Sequence, residues 1–184
     1  MTTKKLFPTY RVDSVLEITP SRLADWRIAS LLLDVDCTLK RYSENELTPE
    51  TFHWLETLQN AGIFLVLLSN GKKGRIGRFA EKYRLPFIAQ AMKPLPNGCR
   101  RAVRQFRLDP ASTAIVGDQI FADILAGNLA GLTTILVTPI HPEEEPWFTR
   151  LKRPLEKRIL RALPDPVKTP KEAQRSPDGS SDND

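Results

Sequence analysis

The chain is poor in the residues that staple small secreted folds or carry a protein through a membrane. Only two of its 184 residues are cysteine, Cys37 and Cys99, far apart in sequence, which argues against a disulfide framework and for a reducing, cytoplasmic compartment. No run approaches the roughly 18 apolar residues of a membrane span. The opening segment Met1-Thr-Thr-Lys-Lys-Leu-Phe-Pro8 lacks the apolar stretch of a secretory signal. The two histidines, His53 and His141, have no metal partner in prospect, and no internal repeat is visible. What is present, 41% apolar and 27% charged residues, fits one soluble globular domain able to bury a single core.

The net charge of +5 is unevenly placed. Residues 147–163 carry Arg150, Lys152, Arg153, Lys157, Arg158 and Arg161 against the single acid Glu156, so this short segment holds the equivalent of the whole basic excess. Beyond it, 164–184 is rich in Pro, Ser, Asp and Gly, a composition that predicts a disordered tail. Upstream, strand-like and helix-like runs alternate, which argues for βαβ units and a parallel sheet. The strand candidates are 28–34, 63–69, 87–89, 113–117 and 133–137. Thr48-Pro49 reads as a helix cap and first turn, with Gly62 stopping that helix. Segments 73–83, 97–107 and 119–130 place apolar residues at helical spacing, and Ile18–Trp26 reads as a short capped helix. The organisation expected is an N-terminal extension, 1–27, packing on a core of 28–146, then a basic amphipathic helix, 147–163, and the tail.

Four strand-like segments end in groups that can do chemistry. Asp34-Val35-Asp36-Cys37-Thr38 follows the first central run, and Ser69-Asn70 follows the second. Lys93 stands just ahead of a helix, and Asp118 closes another strand with Asp123 five residues on. Charged side chains are rarely buried unless paired or metal-bound. Strand ends of an open α/β sheet are where ligands bind. Phosphoryl transfer needs all of these parts: a carboxylate nucleophile, a second carboxylate as acid and base, and hydroxyl and ammonium groups to neutralise the phosphate oxygens. A hard cation held by oxygen ligands completes the set.

In these motifs the chain resembles the haloacid-dehalogenase (HAD) superfamily of phosphatases over 28–140. It is similar, more closely, to the YqeG-type members of subfamily IIIA. The grounds are Tyr10-Arg-Val-Asp-Ser-Val-Leu-Glu-Ile-Thr-Pro20, Ala91-Met-Lys-Pro94 and Val116-Gly-Asp-Gln-Ile-Phe-Ala-Asp-Ile-Leu-Ala-Gly-Asn-Leu-Ala-Gly131, which extend the match to 10–163. The resemblance implies an α/β, Rossmann-like fold with helices flanking a parallel sheet. It implies Asp34 as nucleophile and Asp36 as general acid/base, with Thr38 supporting the loop and Ser69, Asn70 and Lys93 on the phosphate. Mg²⁺ would be held by Asp34, Asp118 and the Asp36 carbonyl, with Asp123 assisting or holding Lys93. Position 37 is Cys where the family favours Gly or Asn, and Ala122 stands where Thr is common.

The intervals Thr38–Ser69 and Asn70–Lys93 have room for one helix and one strand each, so no cap domain is expected and the site should be open. The same group includes phosphatidylglycerophosphate phosphatases. An open site suits a large anionic phospholipid reached at the membrane surface from the cytoplasmic side. Lys40, Arg41, Lys72, Lys73 and Arg75 flank the first two motifs and are candidates for a second phosphate or the lipid surface. Trp147, Leu151, Leu155 and Ile159 form one apolar arc, and Arg150, Arg153, Lys157 and Arg161 cluster opposite it. That pattern fits either an interfacial anchor or a helix packed on its own domain. Two rivals stand beside the lipid reading: a soluble phosphate ester or phosphoprotein substrate, and an idle HAD fold used for binding. Nucleic acid is not the expected partner, and the missing cap leaves homo-oligomers open.

Overall fold

Apolar residues in alternate positions of short runs can cover both faces of a sheet, and that pattern builds this molecule. The computed structural model describes residues 3–144 and positions 154, 158 and 159. Six parallel strands form one sheet: β1 (Tyr10–Val12), β2 (Ser30–Leu33), β3 (Phe64–Leu68), β4 (Phe87–Ile88), β5 (Thr113–Gly117) and β6 (Thr133–Val137), in the order β1-β6-β5-β2-β3-β4. Leu31, Leu33, Leu65, Leu67 and Val116 face one side, and Leu32, Val66, Leu68 and Ile115 face the other. Helices α1 (Pro20–Asp25), α2 (Pro49–Asn60) and α3 (Lys73–Lys82) cover the first face through Leu23, Trp54, Leu58, Ile76 and Phe79. Helices α4 (Asn97–Gln105) and α5 (Leu125–Ala130) cover the second through Cys99, Ala102 and Ala126.

The fold is therefore the α/β, Rossmann-like arrangement expected, and α2–β3 and α3–β4 fill the two intervals without an inserted cap. The Thr48 side chain accepts from the Thr51 N–H with Pro49 in the first turn, and Gly62 sits at φ 80° just past the helix end, as the cap signals require.

Two features differ from the expectation. The N-terminal segment contributes β1, which pairs in register with β6, Tyr10 opposite Ile135 and Val12 opposite Val137. Three residues with an exposed arginine between two inward neighbours are too short a signal to read as a strand. Tyr10 stacks on Trp26 with centroids 4.0 Å apart, and the Trp54 indole N–H donates to the Ile18 carbonyl at 2.9 Å, so this segment is tied to the core. The run 119–130 is not one regular helix either. Ile120–Ile124 makes a wide π-type turn before α5 begins, and wide turns of this kind are often found at functional sites.

Of the 147–163 segment, Pro154, Arg158 and Ile159 are described, and Ile159 packs against the small cluster of Ile120, Ile124 and Leu136. At that position the apolar arc is covered by the chain's own domain. Trp147, Arg150, Arg153 and Lys157 lie outside the described residues, as does the tail.

Candidate active site

Strand order places the chemistry. From β2 the chain proceeds to β3 on one side, whereas β5 flanks β2 on the other. The crevice between the C-terminal ends of β2 and β5 is thus the switch point where such sheets bind ligands. Asp34 follows β2 and Asp118 follows β5, both buried. The Asp34 N–H donates to the Val116 carbonyl at 2.9 Å, which extends the β2–β5 pairing to the start of the 34–38 loop.

Lys93 is the hub. Its buried Nζ donates to Asp34 Oδ1 at 2.5 Å, to Asp123 Oδ1 at 2.6 Å and to the Leu68 carbonyl at 2.9 Å. Burial alone would lower its pKa, but the Asp123 and Asp34 carboxylates outweigh that and raise it, so the ammonium is charged throughout the physiological range. Asp34 is pushed up to about 7: burial is the main cause, Lys93 pulls the other way, and Asp123 adds to the rise. Burial likewise raises Asp123.

Asn70 fixes the hub in place. Its Oδ1 accepts from the Lys93 backbone N–H at 2.8 Å and its Nδ2 donates to the Lys93 carbonyl at 2.9 Å. The amide expected on the phosphate is thus committed to positioning the lysine. Ser69 is buried, and its Oγ accepts from the Gly71 N–H at 3.0 Å, leaving the hydroxyl proton to donate. Thr38 donates to Asp118 Oδ1 at 3.1 Å, fixing one carboxylate of the cluster from the 34–38 loop.

Asp123 reaches the cluster because of what surrounds it. The wide turn at Ile120–Ile124 lets its Oδ2 accept from the Gln119 N–H at 3.1 Å. Gly117 supplies the space: a Cβ there would press on the Asp123 carboxyl and lie 2.5 Å from its Cβ. Carboxylate oxygens of Asp34, Asp118 and Asp123 all lie within 4.8 Å of one another. Three convergent carboxylates with oxygen donors suit a hard divalent cation, and one Lys93 charge does not balance them.

Asp36 occupies a different environment. Arg75 holds it in a two-pronged pair, Nη1 to Oδ1 at 2.9 Å and Nη2 to Oδ2 at 2.5 Å, and Lys40 Nζ donates to Oδ1 at 2.8 Å. Burial works to raise Asp36, but the hydrogen bonds from Arg75 and Lys40 prevail and hold it below the usual carboxylate range. Two aspartates two residues apart are thus driven in opposite directions: burial favours the proton on Asp34, while Arg75 and Lys40 favour the carboxylate of Asp36.

Lys40 and Arg75 are therefore bound to the acid/base candidate, where the sequence alone suggested a lipid or second-phosphate role. Lys40 is also buried, which removes it from any membrane-facing surface. Arg41 pairs at the surface with Glu44 at 3.7 Å and Glu144 at 4.0 Å. Lys72 and Lys73 are exposed at the start of α3. Cys37 sits at φ 62°, the left-handed region that Gly and Asn favour, which explains why those residues are usual there.

Comparison with known proteins bears on the fold and the family. A HAD-hydrolase-like family model matches residues 90–143. The probable phosphatase YqeG of Bacillus subtilis is 35% identical over 161 residues, covering 87% of this chain and 93% of that protein. Among solved structures, a 3-deoxy-D-manno-octulosonate 8-phosphate phosphatase from Yersinia pestis superposes with TM-score 0.53 at 15% identity, over 74% of this chain and 72% of that one. A hypothetical protein from Xanthomonas campestris gives 0.52 at 16% identity over 76% and 79%. These two likenesses speak for the fold. With the relative, the motifs and the buried Asp34–Lys93–Asp123 cluster together, the chain belongs to the YqeG-type phosphatases of the haloacid-dehalogenase superfamily.

Proposed function

We propose that the protein hydrolyses a phosphate monoester through an aspartyl-phosphate on Asp34, with Mg²⁺ as the cofactor and phosphatidylglycerophosphate as the substrate. The observation that carries the chemistry is the Lys93 ammonium lodged between Asp34 and Asp123 at 2.5 and 2.6 Å, at the mouth formed by the ends of β2, β3 and β5. The Asp34 carboxylate attacks phosphorus and the ester P–O bond breaks. The leaving oxygen takes its proton from Asp36, which must first be loaded with that proton, because Arg75 and Lys40 favour its carboxylate. Asp36, now a carboxylate, takes a proton from water as that water attacks the phosphorus of the aspartyl-phosphate, and inorganic phosphate leaves with Asp34 restored. Lys93 and the Ser69 hydroxyl neutralise the equatorial oxygens. Asp34, Asp118, Asp123 and the Asp36 carbonyl would hold Mg²⁺, which when bound offsets repulsion between carboxylate and phosphate.

Three things support a lipid substrate. Among the described residues, no cap covers the cleft. The rim loop leaves Met92 60% and Leu95 48% exposed. That loop lies beside the Lys72–Lys73 turn, since the Gln90 N–H donates to the Gly71 carbonyl and the Ala91 N–H to the Ser69 carbonyl. Exposed apolar tips on a loop next to exposed cations match the chemistry of an anionic bilayer surface. No helix among the described residues is long and apolar enough to cross a membrane. A peripheral visit to the bilayer is therefore the form proposed.

The test is a substrate panel with Asp34→Asn as the blank: phosphatidylglycerophosphate in anionic vesicles, sugar phosphates, nucleotides and phosphopeptides. The lipid should be turned over at least tenfold more efficiently than any soluble ester, and Met92→Asp should reduce vesicle turnover selectively. A higher kcat/KM on a soluble phosphate or a phosphopeptide would reject the lipid and leave the phosphatase chemistry standing.

A further inference from the structure

A groove of about 330 Å³ opens from the catalytic loop along α3 and is not used by the chemistry above. It begins at Val35, between the two catalytic aspartates, and its apolar wall is completed by Ile76 and Phe79. Arg75, Arg78 and Lys82 line it from α3. Their spacing, i, i+3 and i+7, puts them on one helical face in a row about 10 Å long. The row starts at Asp36, which Arg75 grips, and leads away from the reacting centre.

The occupancy of these charges is uneven. Arg75 is paired with Asp36 and lies across Gly71, where a Cβ would meet its Nη2 at 2.5 Å; its side chain remains 39% exposed on the groove side. Lys82 is paired with Glu46, the acid that lines the groove. Arg78 has no carboxylate partner among the described residues, although it stands one turn from Arg75. A guanidinium left unpaired in a groove with an apolar wall, between two other cations, is a place for an anion that the protein does not itself supply.

We infer that this groove is a leaving-group subsite: it takes a second anionic group, a phosphodiester or phosphate, carried by the leaving group of the substrate, with Arg78 as its principal contact. This rests on the phosphatase reading of Asp34 and Asp36 and assigns recognition of an anionic leaving group to the α3 groove and Arg78. Asn45, on the opposite lip, adds an amide donor. The source of the anion is set by the remainder of the molecule, a lipid headgroup or a soluble bis-anion.

The experiment compares kcat/KM on three probes: 4-nitrophenyl phosphate, which has one anion; deacylated phosphatidylglycerophosphate, soluble with two; and the intact lipid in anionic vesicles. Arg78→Ala should lower kcat/KM on both two-anion probes about tenfold more than on 4-nitrophenyl phosphate, mainly through KM, and Arg78→Lys should restore most of the difference. Arg104→Ala, an exposed cation on α4 across the sheet, serves as the control for general charge. Equal losses on all probes, an unchanged preference in Arg78→Ala, or the same loss of preference in Arg104→Ala would overturn the subsite. If wild type fails on all three probes, the phosphatase reading falls with it. If 4-nitrophenyl phosphate is turned over in an Asp34-dependent way while the preference is absent, only the subsite falls. An Arg78 effect on the soluble bis-anion without turnover of vesicles keeps the subsite and removes the lipid as its source.

Discussion

Replacing Gly117 with alanine tests the geometry of the cluster with a single methyl group. The added Cβ would lie 2.5 Å from Asp123 Cβ and closer still to its carboxyl, whereas real Cβ atoms keep at least 3.0 Å. Asp123 must therefore shift by about half an ångström or more, and it is held on both oxygens, by Lys93 at 2.6 Å and by the Gln119 N–H at 3.1 Å. Overpacking of a tight site costs ~1–3 kcal/mol, and disturbing a buried ion pair brings the total towards ~3–5 kcal/mol. Displacement of this size in a positioned group lowers turnover by about 10²-fold. Urea unfolding and kcat/KM on 4-nitrophenyl phosphate read the two effects. Gly74→Ala is the control: nothing lies within 4 Å of its would-be Cβ, and it sits in α3, so it should be neutral or stabilising by up to ~1 kcal/mol. Adding Asp123→Ala to Gly117→Ala removes the clash with the carboxyl but leaves the one with the Cβ at 2.5 Å, so stability should return only in part and activity not at all. A Gly117→Ala protein within ~0.5 kcal/mol and threefold of wild type would refute the proposed contact.

Three further outcomes follow from the same cluster. Asn70→Ala frees the Lys93 backbone and should lower kcat by ~10-fold or more while KM changes little, whereas Asn70→Asp, which keeps one acceptor for the Lys93 N–H, should retain part of the activity; a pure KM effect in steady-state kinetics would instead place Asn70 on the substrate. Divalent-cation affinity should depend on pH: Asp34 is raised from 3.8 to about 7 in the metal-free protein, so below pH 7 the cation must displace a proton, and calorimetry should show binding tightening by up to ~10-fold per unit from pH 5.5 to 7 and levelling above, with a flat profile contradicting it. For the same reason, protonated Asp34 binds its proton more tightly folded than unfolded, so it favours the metal-free fold below pH 4 and that contribution fades as pH rises towards 7; the lowered Asp36 acts oppositely, adding stability above about pH 4 and losing it on acidification, and Arg75→Ala should reduce that acid-side slope in pH-dependent melts.

Much of this site is legible in the chain because each part ends a strand. Asp34, Ser69 and Asp118 follow apolar runs of four or five residues, and the parallel order of those runs brings their ends together without further information. The pairings are less legible. Nothing local says that Asn70 clamps a backbone 23 positions away, or that Arg75 curls over Gly71 to reach Asp36, because both depend on how α3 and the 90–95 loop settle against the sheet. Lys40 reads as a surface cation next to Arg41, yet the loop after Asp34 turns it inward onto Asp36. The wide turn at Ile120–Ile124 is invisible to a periodicity of 3.6, since a single turn of five residues is too short to show its own period. Strand β1 escaped for the opposite reason, having three residues and one inward-facing alternation.

The central claim is that the Asp34 carboxylate carries the phosphoryl group. A single turnover of phosphorus-labelled 4-nitrophenyl phosphate, quenched in acid, with the label mapped by peptide, tests it most directly. The account predicts label that is stable in acid and released by hydroxylamine on the peptide containing Asp34, and none in Asp34→Asn. Label on another residue, or turnover that survives in Asp34→Asn, would contradict it.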